Sequence, residues 1–289
     1  MAKVAILGVG KMGAAMAKEL AAANHEVLLW NRTSEKSIEI ANSISNARVV
    51  GSVADALSEA DFAICTFVNG EVTEKALLDN PVNLKNANKS IVIADMGTSG
   101  LATANTLNQS ISQAGLKFID SPVSGSIATI AAHQLLVMAS GDTDSIAKIE
   151  PIFLTFSKKV LHVGEVGAGQ AVKLAVNLIV HSLNASLSEA LALATTAGVS
   201  PGKVYEVFDE SVIAAPFVKY KKAAFLDPST PVAMRIDTVV KDLNLILALA
   251  SELGIELNAT QAVVGLYRNA VAQGAGDQDM AALARHLKL

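Results

Sequence analysis

The stretch Lys3-Val4-Ala5-Ile6-Leu7-Gly8-Val9-Gly10-Lys11-Met12-Gly13 decides the fold of the first half of the chain. An apolar, partly β-branched run leads directly into a Gly-x-Gly-x-x-Gly pattern, and residues with helical spacing follow as far as Leu20. This order is typical of a buried parallel strand, a tight turn and a helix. Gly8 permits the turn, Gly10 lets the backbone approach a pyrophosphate, and Gly13 lets helix and strand pack closely. The pattern predicts a dinucleotide-binding turn; a glycine-rich turn that binds nothing is the alternative.

The end of the second predicted strand, Glu26–Trp30, selects between the two nicotinamide cofactors. At this point an Asp or Glu hydrogen-bonds to the ribose 2′-hydroxyl of NAD and repels a 2′-phosphate. The chain instead has Asn31, Arg32 and Thr33, and a guanidinium group beside a hydroxyl suits a phosphate monoester. We therefore expect NADP(H) to be preferred over NAD(H). The alternative is a surface arginine next to the following helix.

The alternation of strand and helix signals continues to about residue 139. Further strand candidates lie at residues 49–50, 62–67, 91–95, 117–120 and 135–139. Alternation of this kind predicts a parallel sheet with helices on both faces, whose ligands collect at the carboxyl ends of the strands. Cys65, the single cysteine, lies in one of these apolar runs, so we expect it to be buried and unreactive.

A short polar turn follows the strand candidate at residues 117–120. Ser124, Gly125 and Ser126 can present two hydroxyls and several backbone N–H groups to one anion of the size of a carboxylate. An ordinary Ser/Gly turn has the same composition.

The longest apolar run begins at Gly167-Ala168-Gly169-Gln170-Ala171-Val172-Lys173-Leu174-Ala175-Val176-Asn177 and reaches about Gly198. No proline interrupts it, and a glycine commonly ends a helix, so the run predicts one long helix. Lys173 and Asn177 share a face of that helix. An ammonium group among apolar side chains costs free energy unless it has a partner or a task. A lysine that snorkels from the helix edge is the alternative.

After Gly198 the sequence has helical patterns and no strand signal. The predicted helices cover residues 201–210, 218–226, 234–254 and 258–272. We therefore predict an α/β protein in which a Rossmann dinucleotide-binding domain, residues 1–163, precedes an all-α domain, residues 164–289. The long helix joins the two.

Composition limits the classes of function. Of 289 residues, 51% are hydrophobic and only 17% are charged, and the net charge is -4. The chain has no basic block, so nucleic acid and anionic membranes are poor partners. A surface with few charges suggests that a partner subunit covers part of it. Met1 leads straight into a strand, and the long helix is too polar for a membrane span. We expect a cytoplasmic homo-oligomer.

Other polar residues do not combine into a site. His133, His162 and His181 have no cysteine or carboxylate at ligand spacing, so we predict no metal. Asp277 and Asp279, near the C-terminus, are expected to lie in a solvated turn.

Four segments occur in a characteristic order. They are the glycine turn, Ser121-Pro122-Val123-Ser124-Gly125, the Gly-x-Gly-Gln-x-x-Lys-x-x-x-Asn pattern that starts at Gly167, and Lys241-Asp242-Leu243. In this combination the chain resembles the β-hydroxyacid dehydrogenase family, which includes 3-hydroxyisobutyrate dehydrogenase, tartronate semialdehyde reductase and glyoxylate/succinic semialdehyde reductase. The resemblance covers essentially the whole chain. It implies a helical domain through which subunits often pair, as a homodimer or homotetramer.

The resemblance also implies roles for individual residues. Lys173 matches the family's catalytic lysine, and Asn177 its substrate-binding asparagine. Thr98 matches a threonine beside the nicotinamide, and Lys241 a lysine that contacts the cofactor. The loop that holds the substrate carboxylate corresponds to Ser124, Gly125 and Ser126.

Three positions depart from the usual pattern of the family. Ser126 stands where a second glycine is usual, and His133 where a glycine is usual. Met234 stands where several members carry an aromatic residue at the pocket. Since residue 126 belongs to the substrate loop, the identity of the acid stays open.

The function implied by the resemblance is an NADP(H)-dependent oxidoreductase that interconverts a short β-hydroxyacid and its semialdehyde or keto acid. Succinic semialdehyde, glyoxylate, tartronate semialdehyde and methylmalonate semialdehyde are candidate substrates. One alternative is an NADPH-dependent imine reductase, which shares the fold and often the Trp-Asn-Arg-Thr segment at residues 30–33. The other is a dehydrogenase-fold scaffold without activity. Lys173 and the Ser-Pro-Val-Ser-Gly segment favour the hydroxyacid enzyme.

Overall fold

A computed structural model describes residues 1–287. The chain forms two compact units, Met1–Lys173 and a second that begins at Leu174. One helix, Ala168–Thr196, contributes residues to both. The domain boundary expected between residues 163 and 164 lies just before this helix and stays a prediction.

Within the described residues, the strands all belong to the first unit. They are β1 (Lys3–Leu7), β2 (Glu26–Trp30), β3 (Ala47–Val49), β4 (Phe62–Cys65), β5 (Val92–Asp95), β6 (Lys117–Asp120), β7 (Val123–Ser124), β8 (Leu135–Gly141) and β9 (Ser157–His162). Their order is β3-β2-β1-β4-β5-β6-β8-β7, and β9 also pairs with β8. Because β1 lies between β2 and β4 in parallel register, the order reverses at β1. Sheets of this type bind ligands at that point.

The sheet is parallel from β3 to β6 and mixed beyond β6. β8 runs antiparallel to β6, β7 runs antiparallel to β8, and β9 is parallel to β8. The predicted parallel sheet is confirmed from β3 to β6, and the prediction is wrong for the edge beyond β6. Apolar runs do not carry the direction of a strand, so the sequence pattern could not show the antiparallel pairing.

Residues of β1 face two cores in alternation. Val4 and Ile6 pack in one apolar cluster, and Ala5 and Leu7 pack in another. All four are fully buried, as a central parallel strand requires. Cys65 on β4 is fully buried in the second cluster, as predicted, and burial raises the pKa of its thiol.

Helices connect the strands of the first unit. They are α1 (Lys11–Ala22), α2 (Ser34–Ser43), α3 (Val53–Glu59), α4 (Gly70–Leu78), α5 (Val82–Lys85), α6 (Leu101–Gln113), α7 (Ile127–Ala131) and α8 (Thr143–Phe153). Side chains of Ser52, Asn69 and Asp142 accept a backbone N–H in the first turns of α3, α4 and α8. These caps satisfy N–H groups that a helix start otherwise leaves without partners.

The second unit is helical, as predicted. α9 (Ala168–Thr196) enters it at Leu174. The elements that follow are α10 (Pro201–Glu210), α11 (Pro216–Leu226), α12 (Ile236–Glu252), α13 (Asn258–Ala272) and a final 3₁₀ segment, Met280–Arg285. The long α9 confirms the helix predicted from Gly167 to about Gly198. Gly198 has a φ of 95°, a left-handed conformation that ends helices and favours glycine.

Among residues 1–287, α9 is also the one helix whose length and composition would let it cross a membrane. In this structure 33% of the apolar window of α9 is buried, and some of its side chains pack into apolar cores. Leu174 joins a cluster with α12 and α13, and Leu187 and Leu191 join one with α10 and α11. Length and composition alone do not distinguish a packed helix from a membrane span.

Asp279 is buried, so the solvated turn predicted for it is wrong. Its two carboxylate oxygens lie 2.7 and 2.9 Å from Nζ of Lys221, whose side chain is 2% exposed. The same carboxylate accepts the N–H groups of Ala233 and Met234. The sequence could not show this because the lysine lies 58 positions away. Asp277 is exposed, as predicted.

Candidate active site

The glycine turn follows β1 at the reversal point of the sheet. Gly8 has a φ of 99°, which glycine adopts without strain. Its N–H donates to the carbonyl oxygen of Trp30 at 2.9 Å, and its own carbonyl oxygen accepts a hydrogen bond from Thr66 Oγ1 at 2.5 Å. The turn is therefore bound to the end of β2 and to the loop after β4.

The other two glycines of the turn differ in what requires them. A Cβ on Gly13 would lie 2.3 Å from the carbonyl oxygen of Gly8, so close packing excludes any side chain. A Cβ on Gly10 would meet no atom within 4 Å, so the packing of the protein does not require glycine there. An open, exposed backbone at the start of α1 fits the close approach of a phosphate group. The turn thus has the features of a dinucleotide cradle.

The residues after β2 have separate tasks. Asn31 accepts the N–H of Val9 on its Oδ1 at 3.1 Å and donates from Nδ2 to the carbonyl oxygen of Thr33 at 3.0 Å. Its side chain therefore fastens the glycine turn to this segment. Arg32 is exposed, and no carboxylate of the described chain forms an ion pair with it. Ser34 donates to Glu35 at 3.4 Å.

Thr98 lies in a loop after β5 that is held from inside the protein. Asp95 accepts the N–H of Gly97 at 3.0 Å and the hydroxyl of Ser99 at 2.6 Å. Ser99 also donates its N–H to Oε1 of Gln170 at 3.0 Å. The loop is thereby tied to the first turn of α9, which carries Lys173.

The predicted substrate loop connects β7 to α7. Gly125 has a φ of 142°, and a Cβ there would lie 2.2 Å from Thr129 Oγ1, so only glycine fits. Ser126 has ordinary extended backbone and precedes α7. Its N–H donates to Thr129 Oγ1 at 2.7 Å. A serine is therefore accommodated where the family usually has a second glycine.

His133, the second departure from the family, has a φ of 53°. This left-handed conformation explains why glycine is usual at the position. The imidazole Nε2 lies 3.0 Å from a carboxylate oxygen of Glu19. This contact links His133 to α1.

Asn177 has its amide orientation fixed by a carboxylate. It is 5% exposed, and its Nδ2 donates to Oδ2 of Asp242 at 2.8 Å. Because a carboxylate only accepts hydrogen bonds, the amide nitrogen must face Asp242 and the carbonyl oxygen must face away from it. Lys173, one helical turn earlier on α9, is half-buried.

Asp242 is also the partner of Lys241, the lysine predicted to contact the cofactor. Nζ of Lys241 lies 2.9 Å from Oδ1 of Asp242. Nε2 of the buried His181 lies 3.6 Å from Oδ2, which is longer than a hydrogen bond. Burial by itself would raise the pKa of the Asp242 carboxyl, but the His181 ring and the Lys241 ammonium outweigh it and lower that pKa. The carboxylate therefore stays charged.

The structure joins the predicted site residues in three groups. One is the glycine turn with Asn31, the second is the Thr98 loop with the first turn of α9, and the third is Asn177 with Lys241. Gln170 holds the second group together, and Asp242 holds the third group together. Neither residue was predicted. Both stand inside the quoted motifs, beside residues to which a role was assigned, and that position was the available signal.

A glycine turn at the reversal point of a doubly wound sheet, followed by a helix N-terminus, defines a nicotinamide-dinucleotide-binding protein of the Rossmann class. Residues 3–164 match the family described as the NAD binding domain of 6-phosphogluconate dehydrogenase. Residues 167–287 match the family described as NAD-binding of NADP-dependent 3-hydroxyisobutyrate dehydrogenase. The chain belongs to the β-hydroxyacid dehydrogenase family, which confirms the resemblance inferred from its motifs.

Similar proteins support the same family. Glyoxylate/succinic semialdehyde reductase 1 of Arabidopsis thaliana is 29% identical over 99% of this chain and 98% of its own length. The structure of Mycobacterium tuberculosis 3-hydroxyisobutyrate dehydrogenase with L-serine covers both chains completely, with 25% identity and a TM-score of 0.88. An imine reductase from Myxococcus stipitatus in complex with NADP+ aligns over 99% of this chain and 100% of its own, with 21% identity and a TM-score of 0.67. The last likeness concerns the fold only.

Proposed function

We propose that the protein is an NADP(H)-dependent oxidoreductase that interconverts a short β-hydroxyacid and its semialdehyde or keto acid. The observation that carries the proposal is the shared face of α9, where Lys173 precedes Asn177 by one turn and Asp242 fixes the amide of Asn177. An amine and an oriented amide side by side suit the proton transfer and hydrogen bonding of a reacting oxygen atom. The Arabidopsis relative, named for glyoxylate and succinic semialdehyde, supports this substrate class.

The cofactor would be held by the residues after β1, β2 and β5. The turn from Gly8 to Gly13 would bind the pyrophosphate, Arg32 and Thr33 the 2′-phosphate, and Thr98 the nicotinamide side. When bound, the cofactor supplies or accepts a hydride. The exposed guanidinium of Arg32, which pairs with no acid of the described chain, supports the preference for NADP(H).

The substrate would be held at both of its ends. Ser124, Gly125 and Ser126 would bind its carboxylate, while Lys173 and Asn177 would hold the reacting oxygen. In reduction Lys173 gives a proton to that oxygen, and in oxidation its neutral amine takes the proton back. Acid–base help of this kind typically supplies about 10²–10⁴-fold.

Oligomer and location are part of the proposal. We expect a cytoplasmic homodimer or homotetramer formed through the helical unit. Exposed apolar residues of that unit support a covered surface, since Leu193 is 75% and Val207 is 65% exposed in the single chain.

The test is a substrate panel with both nicotinamide cofactors. Glyoxylate, succinic semialdehyde, tartronate semialdehyde, methylmalonate semialdehyde and a cyclic imine are each offered with NADPH or NADH. We expect reduction of at least one aldehyde acid, with a higher kcat/KM for NADPH, and a loss of that preference in Arg32→Ala. Reduction of the imine alone would make the protein an imine reductase. Binding of NADPH without any turnover would make it a scaffold.

A further inference from the structure

Gln170 lies three residues before Lys173 on α9 and is fully buried. Its side chain uses its full hydrogen-bonding capacity. Oε1 accepts the N–H groups of Ser99 and Gly100, each at 3.0 Å. Nε2 donates to the carbonyl oxygen of Gly97 at 3.0 Å and to Oδ1 of Asp120 at 2.8 Å. An amide can make at most these four bonds.

The bonds to the loop bracket Thr98. One is made to the residue before it, Gly97, and one to the residue after it, Ser99. Gln170 therefore hydrogen-bonds to the backbone on both sides of the threonine that is proposed to adjoin the nicotinamide. The backbone of Thr98 has little freedom to shift unless one of these buried bonds breaks.

Asp120 fixes Gln170 in turn. Its Oδ2 accepts the backbone N–H of Gln170 at 2.9 Å and the hydroxyl of Ser140 at 3.0 Å. The Ser140 hydroxyl also accepts the N–H of Gly169 at 3.0 Å. A Cβ on Gly169 would lie 2.8 Å from Oδ2 of Asp120, so the Gly-Gln pair of the motif matches this carboxylate in both shape and hydrogen bonding.

We propose that Gln170 is a positioning residue: through Asp120 it holds the Thr98 loop and the helical turn that leads to Lys173 in one fixed arrangement. The inference rests on the proposed function, in which Thr98 adjoins the nicotinamide and Lys173 moves a proton. Displacement of reacting groups by about 1 Å can cost on the order of 10²-fold in rate. The buried hydrogen bonds of the Gln170 side chain to Gly97, Ser99, Gly100 and Asp120, here called the Gln170 clasp, would prevent such a displacement.

The substitution Gln170→Glu tests the donor side of the clasp. It retains the shape and the acceptor for Ser99 and Gly100, but it replaces the donor by an oxygen that faces Gly97 and Asp120. Two carboxylates that share a site raise the pKa of one of them, and the proton then restores one donor. We expect kcat about 10-fold to 100-fold below wild type in mild alkali, with the ratio to wild type recovering as the pH falls. NADPH affinity should change less than kcat.

The substitution Gln170→Met is the matched control, and it also serves if the glutamate variant does not fold. It keeps the volume and removes all four bonds without adding a titratable group. Its kcat should fall by a similar factor, and the ratio to wild type should not recover as the pH falls, because no new carboxyl can supply the missing donor. If Gln170 were needed for packing alone, the two variants would have the same kcat relative to wild type at every pH.

A second readout needs no turnover. Hydrogen exchange of the peptide covering residues 96–101 is followed in the cofactor-free protein. We expect faster exchange at Ser99 and Gly100 in Gln170→Met than in wild type, and intermediate rates in Gln170→Glu that approach wild type at low pH after correction for intrinsic exchange. The peptide covering residues 3–7 on β1 should be unchanged.

The outcomes separate the two proposals. Unchanged exchange in both variants, or wild-type kcat in Gln170→Glu at every pH, would overturn the positioning role. Faster exchange with wild-type protein inactive on the whole substrate panel would overturn the proposed function, while the clasp itself would stand. Faster exchange together with a kcat that recovers at low pH supports both.

Discussion

Two buried carboxylates bind α9, one in each unit, and they are stabilised in different ways. Asp120 receives hydrogen bonds from Gln170 and Ser140, which are neutral donors. Asp242 receives the amide of Asn177 and also lies 2.9 Å from the ammonium group of Lys241. Burial therefore dominates at Asp120 and raises the pKa of its carboxyl, whereas at Asp242 the neighbouring groups outweigh burial and lower it.

Asp279 follows the second pattern. Burial alone would raise the pKa of its carboxyl, but the N–H of Ala281 and the ammonium of Lys221 outweigh burial and lower it. A buried carboxylate can thus be stabilised by neutral hydrogen-bond donors or by donors together with a cation. Neutral donors hold Asp120 at the start of α9. A neighbouring lysine helps to keep Asp242, which orients Asn177, and Asp279, which accepts the N–H of Met234, ionised.

The largest effect should come from breaking the buried ion pair between Lys221 and Asp279. In Lys221→Met the Asp279 carboxylate loses its cation while it stays buried. We expect a loss of about 3–5 kcal/mol in the free energy of unfolding, since an uncompensated buried charge is costly. Urea denaturation followed by circular dichroism measures it.

The neighbouring residue provides a control. Lys222 pairs with Asp209, but its side chain is 41% exposed, so Lys222→Met should cost about 0–1 kcal/mol. Equal losses in the two variants would show that the Lys221–Asp279 pair has no special weight.

A smaller effect is expected where the carboxylate orients an amide. Asp242→Ala removes the acceptor that fixes Asn177 and leaves Lys241 without its partner carboxylate. A hydrogen bond to a charged group is worth about 1.5–3 kcal/mol, so kcat/KM for the aldehyde acid should fall about 10-fold to 100-fold. Steady-state kinetics measure it, and Asp277→Ala at an exposed position is the control. Wild-type kinetics in Asp242→Ala would remove the argument for an oriented Asn177.

The smallest effect is in the pH dependence, and it distinguishes the two patterns by sign. The pKa of Asp279 lies below the ordinary 3.8, so its contribution to stability is present above that pH and is lost as the pH falls through the folded-state value. The pKa of Asp120 is raised, so its ionisation weakens the fold as the pH rises from 3.8 through the raised value.

Urea denaturation of Asp279→Asn and Asp120→Asn between pH 3 and pH 6 tests these signs. Relative to wild type, Asp279→Asn should lose most stability at pH 6 and less at pH 3. Asp120→Asn should gain stability relative to wild type as the pH rises. Each change is about 1.4 kcal/mol per unit of pKa shift. Differences that run in the same direction for both variants would contradict the comparison.

The sequence predicted most of the fold because its signals are local. The strand before Gly8, the turn and α1 are consecutive, and the run from Ala168 to Thr196 has uninterrupted helical composition. β9 was missed because two of its exposed residues, Lys158 and Lys159, are charged. The antiparallel edge was missed because an apolar run does not show in which direction a strand runs. Both depend on what the strand pairs with.

The candidate site was predictable only where motif and chemistry coincide. Lys173 and Asn177 could be singled out because they share one face of a predicted helix, and their roles stay a prediction. The partners that orient such residues come from distant segments: Asp242 lies 65 positions from Asn177, and Asp120 lies 50 positions from Gln170. A sequence pattern does not show which distant residues come into contact. The burial of Asp279 was missed for the same reason.

The central claim is that the amine of Lys173 transfers a proton to and from the substrate oxygen. Single-turnover reduction of the best aldehyde acid of the panel by Lys173→Ala, with NADPH binding followed by fluorescence in the same samples, tests it most directly. We expect hydride transfer to fall by about 10²–10⁴-fold while the Kd for NADPH stays within a few-fold of wild type. Hydride transfer at the wild-type rate in Lys173→Ala would contradict the account.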